Sequence, residues 1–135
     1  MNGEINLQKL IREMKPRLND GEFVYCAIAT QADAVDLNPL CMFLEQESVT
    51  VILPKNIADK AGLTYPSICA WITLTIHSSL EAVGLIAAVS TALADANISC
   101  NMVAAFYHDH IFVPVKDAER AMDVLHSLTG NHNEQ

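Results

Sequence analysis

Hydrophobic and polar positions alternate in two rhythms along this chain, and the rhythm sorts it into helices and strands. Leu7, Leu10, Ile11 and Met14 recur at i, i+3, i+4 and i+7, which predicts an amphipathic helix capped by Asn6 and ended by Pro16. Residues 22–29 (EFVYCAIA) are β-branched and aromatic enough for a strand, whereas 31–39, with two Asp, an Asn and a Pro, read as a loop. Residues 41–45 and 49–53 form a hairpin around Gln46-Glu47-Ser48, and Pro54-Lys55 opens a short helix closed by Gly62.

The cleanest period of two lies at 71–77, with Ile72, Leu74 and Ile76 on one face and Trp71, Thr73, Thr75 and His77 on the other. A helix follows, with Leu85, Val89 and Leu93 at four-residue spacing among small residues, and Asn97 suits a left-handed C-terminal position. Residues 98–104 and 110–115 give two more strands joined near Tyr107-His108-Asp109, with Pro114 marking a strand end or edge. Asp117 starts a last helix whose apolar face is Ala118, Ala121, Met122, Leu125 and Leu128; residues 129–135 are expected to fray.

Composition narrows the function classes. The 135 residues, 51% of them hydrophobic, suit an ordered domain with a core of its own. The formal charge is −8, and no Lys or Arg occurs between Lys60 and Lys116. Displacing counterions from phosphates needs clustered cations, so nucleic acid is excluded as the primary partner and an anionic membrane surface is disfavoured. The N-terminus lacks a basic region followed by an apolar run, and the apolar run from Val83 to Ala96 is too short to span a bilayer. Cys26, Cys41, Cys69 and Cys100 lie far apart without a C-x-x-C pair, which reads as reduced, mostly buried thiols in a cytoplasmic protein.

Catalytic and cofactor chemistry finds little material. There is no G-x-G-x-x-G, G-x-x-x-x-G-K-S/T, C-x-x-C or H-E-x-x-H, so no cofactor is expected. His108 and His110 alternate as strand neighbours and could share a metal only if His77 joined them; a zinc site needs three or four ligands, and a solvated turn is the better reading. Cys100 in an apolar strand reads as an inert thiol rather than a nucleophile.

The two halves resemble each other. VTVILPKNIADKAG (49–62) and IFVPVKDAERAMD (111–123) each give a strand, a Pro or charged break and an Ala-rich helix, a self-similarity that signals a duplicated unit. The expected division is an N-terminal unit over 1–69 that has lost its opening strand, a C-terminal unit over 70–130, and a tail over 131–135.

Residues 70–128 resemble an ACT domain, a small module with which biosynthetic enzymes sense amino acids. VGLIAAVSTALADANISCNMVAAF and HIFVPVKDAERAMDVL carry the likeness, which is nearest to the tandem ACT region of aspartokinases; with LNDGEFVYCAIA and LTYPSICAWITLTIHSSLEAVGL the whole chain resembles stand-alone bacterial ACT-like proteins. The resemblance implies a ferredoxin-like α+β fold, two tandem units whose antiparallel sheets carry helices on one face. It also implies a homodimer or higher oligomer. Trp71, the single tryptophan, then packs either on the first half of its own chain or on another subunit.

The same likeness places an effector in the loop that joins the unit's first strand to its first helix, here Ser78, Ser79, Leu80, Val83, Gly84 and Leu85, against a strand start at Ile98, Ser99, Cys100 and Asn101. On their own chemistry these residues suit a small carboxylate: a helix N-terminus offers backbone N–H groups, and Gly84 admits close approach. The aspartokinase resemblance implies an acidic residue at position 101 when the ligand is a basic amino acid, so neutral Asn101 speaks against a lysine-like one. Ser78-Ser79-Leu80-Glu81 reads equally as a capping box, with Gly84 serving helix–sheet packing. The expected function is therefore that of a non-catalytic regulator that binds an amino-acid-like ligand and acts on a partner protein or enzyme. The alternative is an oligomeric scaffold of the same fold without a metabolite.

Overall fold

Local chemistry explains most of the observed elements. In the computed structural model, which describes residues 3–75 and 82–130, α1 covers Gly3–Glu13 and β1 Lys15–Leu18. Next come β2 (Phe23–Ile28), α2 (Gln31–Asp36), β3 (Cys41–Leu44), β4 (Val49–Pro54) and α3 (Lys55–Lys60). β5 (Cys69–Thr75), α4 (Ala82–Asp95), β6 (Asn101–Ala104), β7 (Asp109–Pro114), a 3₁₀ turn at Val115–Asp117 and α5 (Ala118–Thr129) complete the chain. It divides into two compact units, Asp20–Ala70 and Met1–Asn19 with Trp71–Gln135.

Within Asp20–Ala70 the order is strand, helix, strand, strand, helix. β2 pairs antiparallel with β4 from Phe23↔Pro54 to Ile28↔Val49, and β4 with β3 from Cys41↔Ile52 to Leu44↔Val49. The residues 31–39 expected as a loop contain α2 instead. Thr30 caps it, its hydroxyl accepting from the Asp33 N–H at 3.2 Å, and buried Ala34 turns into the core with Val24, Cys26, Ile28, Val51, Leu53 and Ala58. β2 is therefore the opening strand that the N-terminal unit was expected to lack. α3 ends in a Schellman motif: the Leu63 N–H reaches the Ala58 carbonyl at 2.9 Å, and Gly62 takes the left-handed conformation, φ 72°.

In the other unit the strands run β6-β7-β5-β1. β1 pairs antiparallel with β5 from Lys15↔Thr75 to Leu18↔Ile72, so residues expected only to end a helix form a strand. Its sequence, Lys-Pro-Arg-Leu, suits an edge, where charge and proline discourage further pairing. Residues 1–19 thus belong with the C-terminal segment rather than with 20–69. Asn6 lies inside α1, not at its cap. Ile72, Leu74, Leu85, Val89, Leu93, Ile111 and Leu125 are fully buried, and α1 packs against both α4 and α5.

Strands 101–104 and 109–114 are shorter or shifted relative to 98–104 and 110–115 because α4 ends in its own Schellman motif. The Ile98 N–H reaches the Leu93 carbonyl at 2.9 Å while Asn97 sits at φ 61°, as expected of that asparagine. Gly130, also left-handed at φ 83°, closes α5 after Thr129. The described cysteines are all unpaired: Cys26 and Cys69 are buried, Cys41 and Cys100 partly so. No helix among the described residues is long and apolar enough to cross a membrane.

Candidate functional site

The sequence-predicted site divides into residues of three kinds. Ser78, Ser79 and Leu80, with Glu81 of the expected capping box, lie outside the described residues, as does His77; Val83 stands in the first turn of α4. Gly84, Leu85 and Ile98 have structural neighbours that explain them. A Cβ built on Gly84 would stand 3.1 and 3.2 Å from the two terminal methyls of Leu7 in α1, so the space that the glycine leaves is occupied by the chain itself. Leu85 is fully buried, and Ile98 is the buried apolar residue that accompanies the α4 Schellman motif. Ser99 and Asn101 are exposed, flanking the partly buried Cys100. Burial pushes the Cys100 thiol up, which keeps it protonated and unreactive at neutral pH.

A polar network crosses the sheet of the same unit on the face away from the helices. The Trp71 indole N–H donates to Nδ1 of His110 at 3.0 Å, and the Thr73 hydroxyl lies 3.1 Å from the same nitrogen. An Nδ1 that accepts the indole carries no proton, so the His110 ring is neutral with its hydrogen on Nε2. Asn19 extends the network: its amide donates to the Thr73 hydroxyl at 2.9 Å and to the Trp71 carbonyl at 3.2 Å, and Arg17 donates to its side-chain oxygen at 3.1 Å. Burial, followed by the charge on His108, holds His110 below the usual histidine value, while Asp109 opposes them. Asp109 itself is pushed up by burial against the pull of both histidines.

This geometry assigns Trp71 and His110 to each other. His110 is not available to share an ion with His108, whose buried Nδ1 has no hydrogen-bond partner among the described residues. Among those residues no group of three His, Cys, Asp or Glu could hold a metal. The turn before β7 instead presents Phe106 and Tyr107, 91% and 77% exposed and stacked edge to face at 4.8 Å.

Sequence reasoning missed a cavity in Asp20–Ala70. About 650 Å³ in volume, it is lined by Tyr25–Ala27 of β2, Thr50 of β4 and the segment Gly62–Pro66, a size usual for small-molecule sites. The ladder between β2 and β5 consists, among the described residues, of the pair Phe23↔Cys69; beyond it the chain from 68 back to 62 leaves the register. Tyr65 fixes that segment, its hydroxyl donating to Asp59 at 2.7 Å while Lys55 pairs with the other carboxylate oxygen at 3.0 Å. These two contacts, the tyrosine first, lower the Asp59 carboxyl below its usual range. Burial, with a smaller effect of Asp59, raises the Cys26 thiol. The signal that could have found this unit was Thr30-x-x-Asp33, a helix-capping pattern.

The comparisons with known proteins agree with this architecture. Two family models described as ACT domain match, one over residues 2–70 and the other over 67–127. A Vibrio cholerae protein of unknown function, described as a possible transport protein, is 39% identical over 95% of this chain and 99% of its own, with a TM-score of 0.88. The ligand-free regulatory subunit of aspartate kinase from Thermus thermophilus shares the fold at 11% identity, over 84% of this chain and 95% of its own, TM-score 0.63. A C-terminal regulatory domain assigned to aspartate kinase from Porphyromonas gingivalis does so at 14% identity, over 86% and 96%, TM-score 0.58. No curated protein matches the sequence. With ACT models covering both halves and ferredoxin-like strand order within the chain, the protein belongs to the ACT-domain family as a tandem ACT protein resembling aspartokinase regulatory regions.

Proposed function

We propose that the protein is a non-catalytic regulator that binds a free amino acid at the junction of ACT units in an oligomer. Its ligand contacts would be Ser78, Ser79, Leu80 and Val83 with the exposed edge at Ser99–Asn101. The observation that carries this reading is the tandem ACT match, accompanied by relatives described as regulatory parts of aspartate kinases. Ser99 and Asn101 support it as exposed polar groups able to meet a ligand's ammonium or carboxylate. A ligand held across two units shifts their packing by its differential affinity for the two arrangements, and a partner protein reads the shift.

Leu7 against Gly84 favours a second reading, an oligomeric scaffold in which that glycine serves packing alone. Thermal unfolding with each of the twenty amino acids separates the two. A ligand present at a hundred times its Kd adds about 2.7 kcal/mol. That gain should disappear in Asn101→Ala, and a flat response to all twenty would leave the scaffold.

A further inference from the structure

The cavity in Asp20–Ala70 lies beside the one strand edge of that unit whose pairing stops short. Its backbone orientation follows from the ladder. The Lys55 N–H donates to the Glu22 carbonyl at 2.9 Å, and the Glu45 N–H to the Ser48 carbonyl at 3.0 Å. With the registers of β2, β3 and β4, these bonds make the odd residues of β4 pair toward β2 and the even residues of β2 pair toward β4. Ala27, odd and exposed, therefore directs its N–H and C=O away from β4, to the edge along which the cavity opens. The ladder that would cover this edge ends at Phe23↔Cys69.

The walls define what could enter. None of the lining residues is charged, and the nearest described ion pair, Lys55–Asp59, is satisfied internally with Tyr65. Leu63, Pro66 and the tyrosine rings offer apolar surface and Thr64 a hydroxyl, while the Thr50 hydroxyl donates to the Glu45 carboxylate. A carboxylate placed there would lose water without gaining a counter-charge, and the acid nearest the Thr50 wall, Glu45, would repel it. A residue on a strand edge is matched by a donor and an acceptor spaced as in a peptide main chain.

We infer that this cavity is a second ligand site, distinct from the Ser99–Asn101 edge, and that it takes small uncharged amides that pair with the Ala27 backbone and lay an apolar side chain on Leu63 and Tyr65.

The probes are N-acetyl-leucinamide and N-acetyl-tyrosinamide, set against free leucine and N-acetyl-leucine, which share the apolar body but are charged. Titrated into the full-length, nitrogen-15-labelled chain, the blocked amides should shift the backbone amides of Ala27, Thr64 and Tyr65 saturably. The charged pair should bind at least about tenfold more weakly. Thr64→Trp and, from the opposite wall, Thr50→Trp should abolish the shifts while each variant keeps a cooperative thermal transition. Equal binding of free leucine, shifts centred elsewhere, or undiminished binding by both folded variants would overturn the assignment. Because the readout sits at Ala27 and Thr64, failure here is separable from failure of amino-acid binding at Ser99–Asn101.

Discussion

The two ACT units solve the same problem differently: what to do with the outer edge of their opening strand. In the unit formed by 1–19 and 71–135, β5 is covered along Ile72–Thr75 by β1, and Asn19 ties that strand down through Thr73 and Trp71. In Asp20–Ala70, β2 is covered at Phe23 by Cys69 and then borders a cavity of about 650 Å³. The difference is one of supply. A segment from the far end of the sequence completes the first edge, whereas in the second the chain that would complete it turns away, held by Tyr65 on Asp59. Duplicated units need not keep duplicate functions, and the filled edge and the open one are where these two diverge.

The strongest way to break the comparison is to loosen the filled edge. Asn19→Ala removes three side-chain hydrogen bonds, of which the two part-buried ones to Thr73 and Trp71 are worth about 0.5–1.5 kcal/mol each, so the variant should lose about 1–3 kcal/mol in urea unfolding. Hydrogen exchange should show the amides of residues 17 and 19, which pair toward β5, losing protection while those of Val24 and Cys26 keep theirs. Equal loss in both places would mean that β1 is not a locally tied strand.

Protonation probes the same edge more gently. His110 accepts the Trp71 indole as a neutral ring, and its folded value lies below the unfolded one. The unfolded chain therefore binds the proton first. Stability from this contact is fully present above the ordinary histidine value, near 6.5, and is lost as pH falls through the lower folded value. Asp109, raised by burial, has the opposite sign, but its window lies in the carboxylate range. Asp20–Ala70 contains no histidine, so a slope between pH 7 and 5 reports on the other unit. His110→Gln, whose side-chain oxygen can still accept the indole, should flatten that slope in unfolding followed by tryptophan fluorescence. An unchanged slope would place its origin elsewhere.

What could be read from the sequence was whatever a short stretch of chain specifies for itself. The alternation at 71–75, the spacing of Leu85, Val89 and Leu93, and the left-handed Asn97 are local, and all three appear in the structure. β1 could not be read this way, because Lys-Pro-Arg-Leu becomes a strand only through Ile72–Thr75, more than fifty residues away. α2 escaped notice because six residues hold too few apolar positions to show a period. At the candidate site, Gly84 and Ile98 looked like ligand positions because local sequence does not reveal a distant neighbour. Leu7 explains the first, and a helix-ending motif explains the second. The cavity follows from a ladder that stops, and no run of residues encodes that alone.

Gly84 gives the finest test of the contrast, since α1 belongs to one unit only and covers the helix there. In an exposed helix, Ala for Gly gains about 0.5–1 kcal/mol from the backbone alone. Here the new methyl would press on Leu7 at 3.1–3.2 Å, closer than ordinary van der Waals contact, and Leu7 must give way. Gly84→Ala should therefore gain little in the parent chain. In the Leu7→Ala background, where the space is empty, the same change should realise most of the backbone gain. The difference between the two measurements is the coupling energy of the pair, read from a double-mutant cycle in urea. Coupling of several tenths of a kcal/mol would establish Gly84 as a packing glycine. Zero coupling would mean that Leu7 does not constrain it, and close approach by a ligand would regain its place as the reason for a glycine near the start of α4.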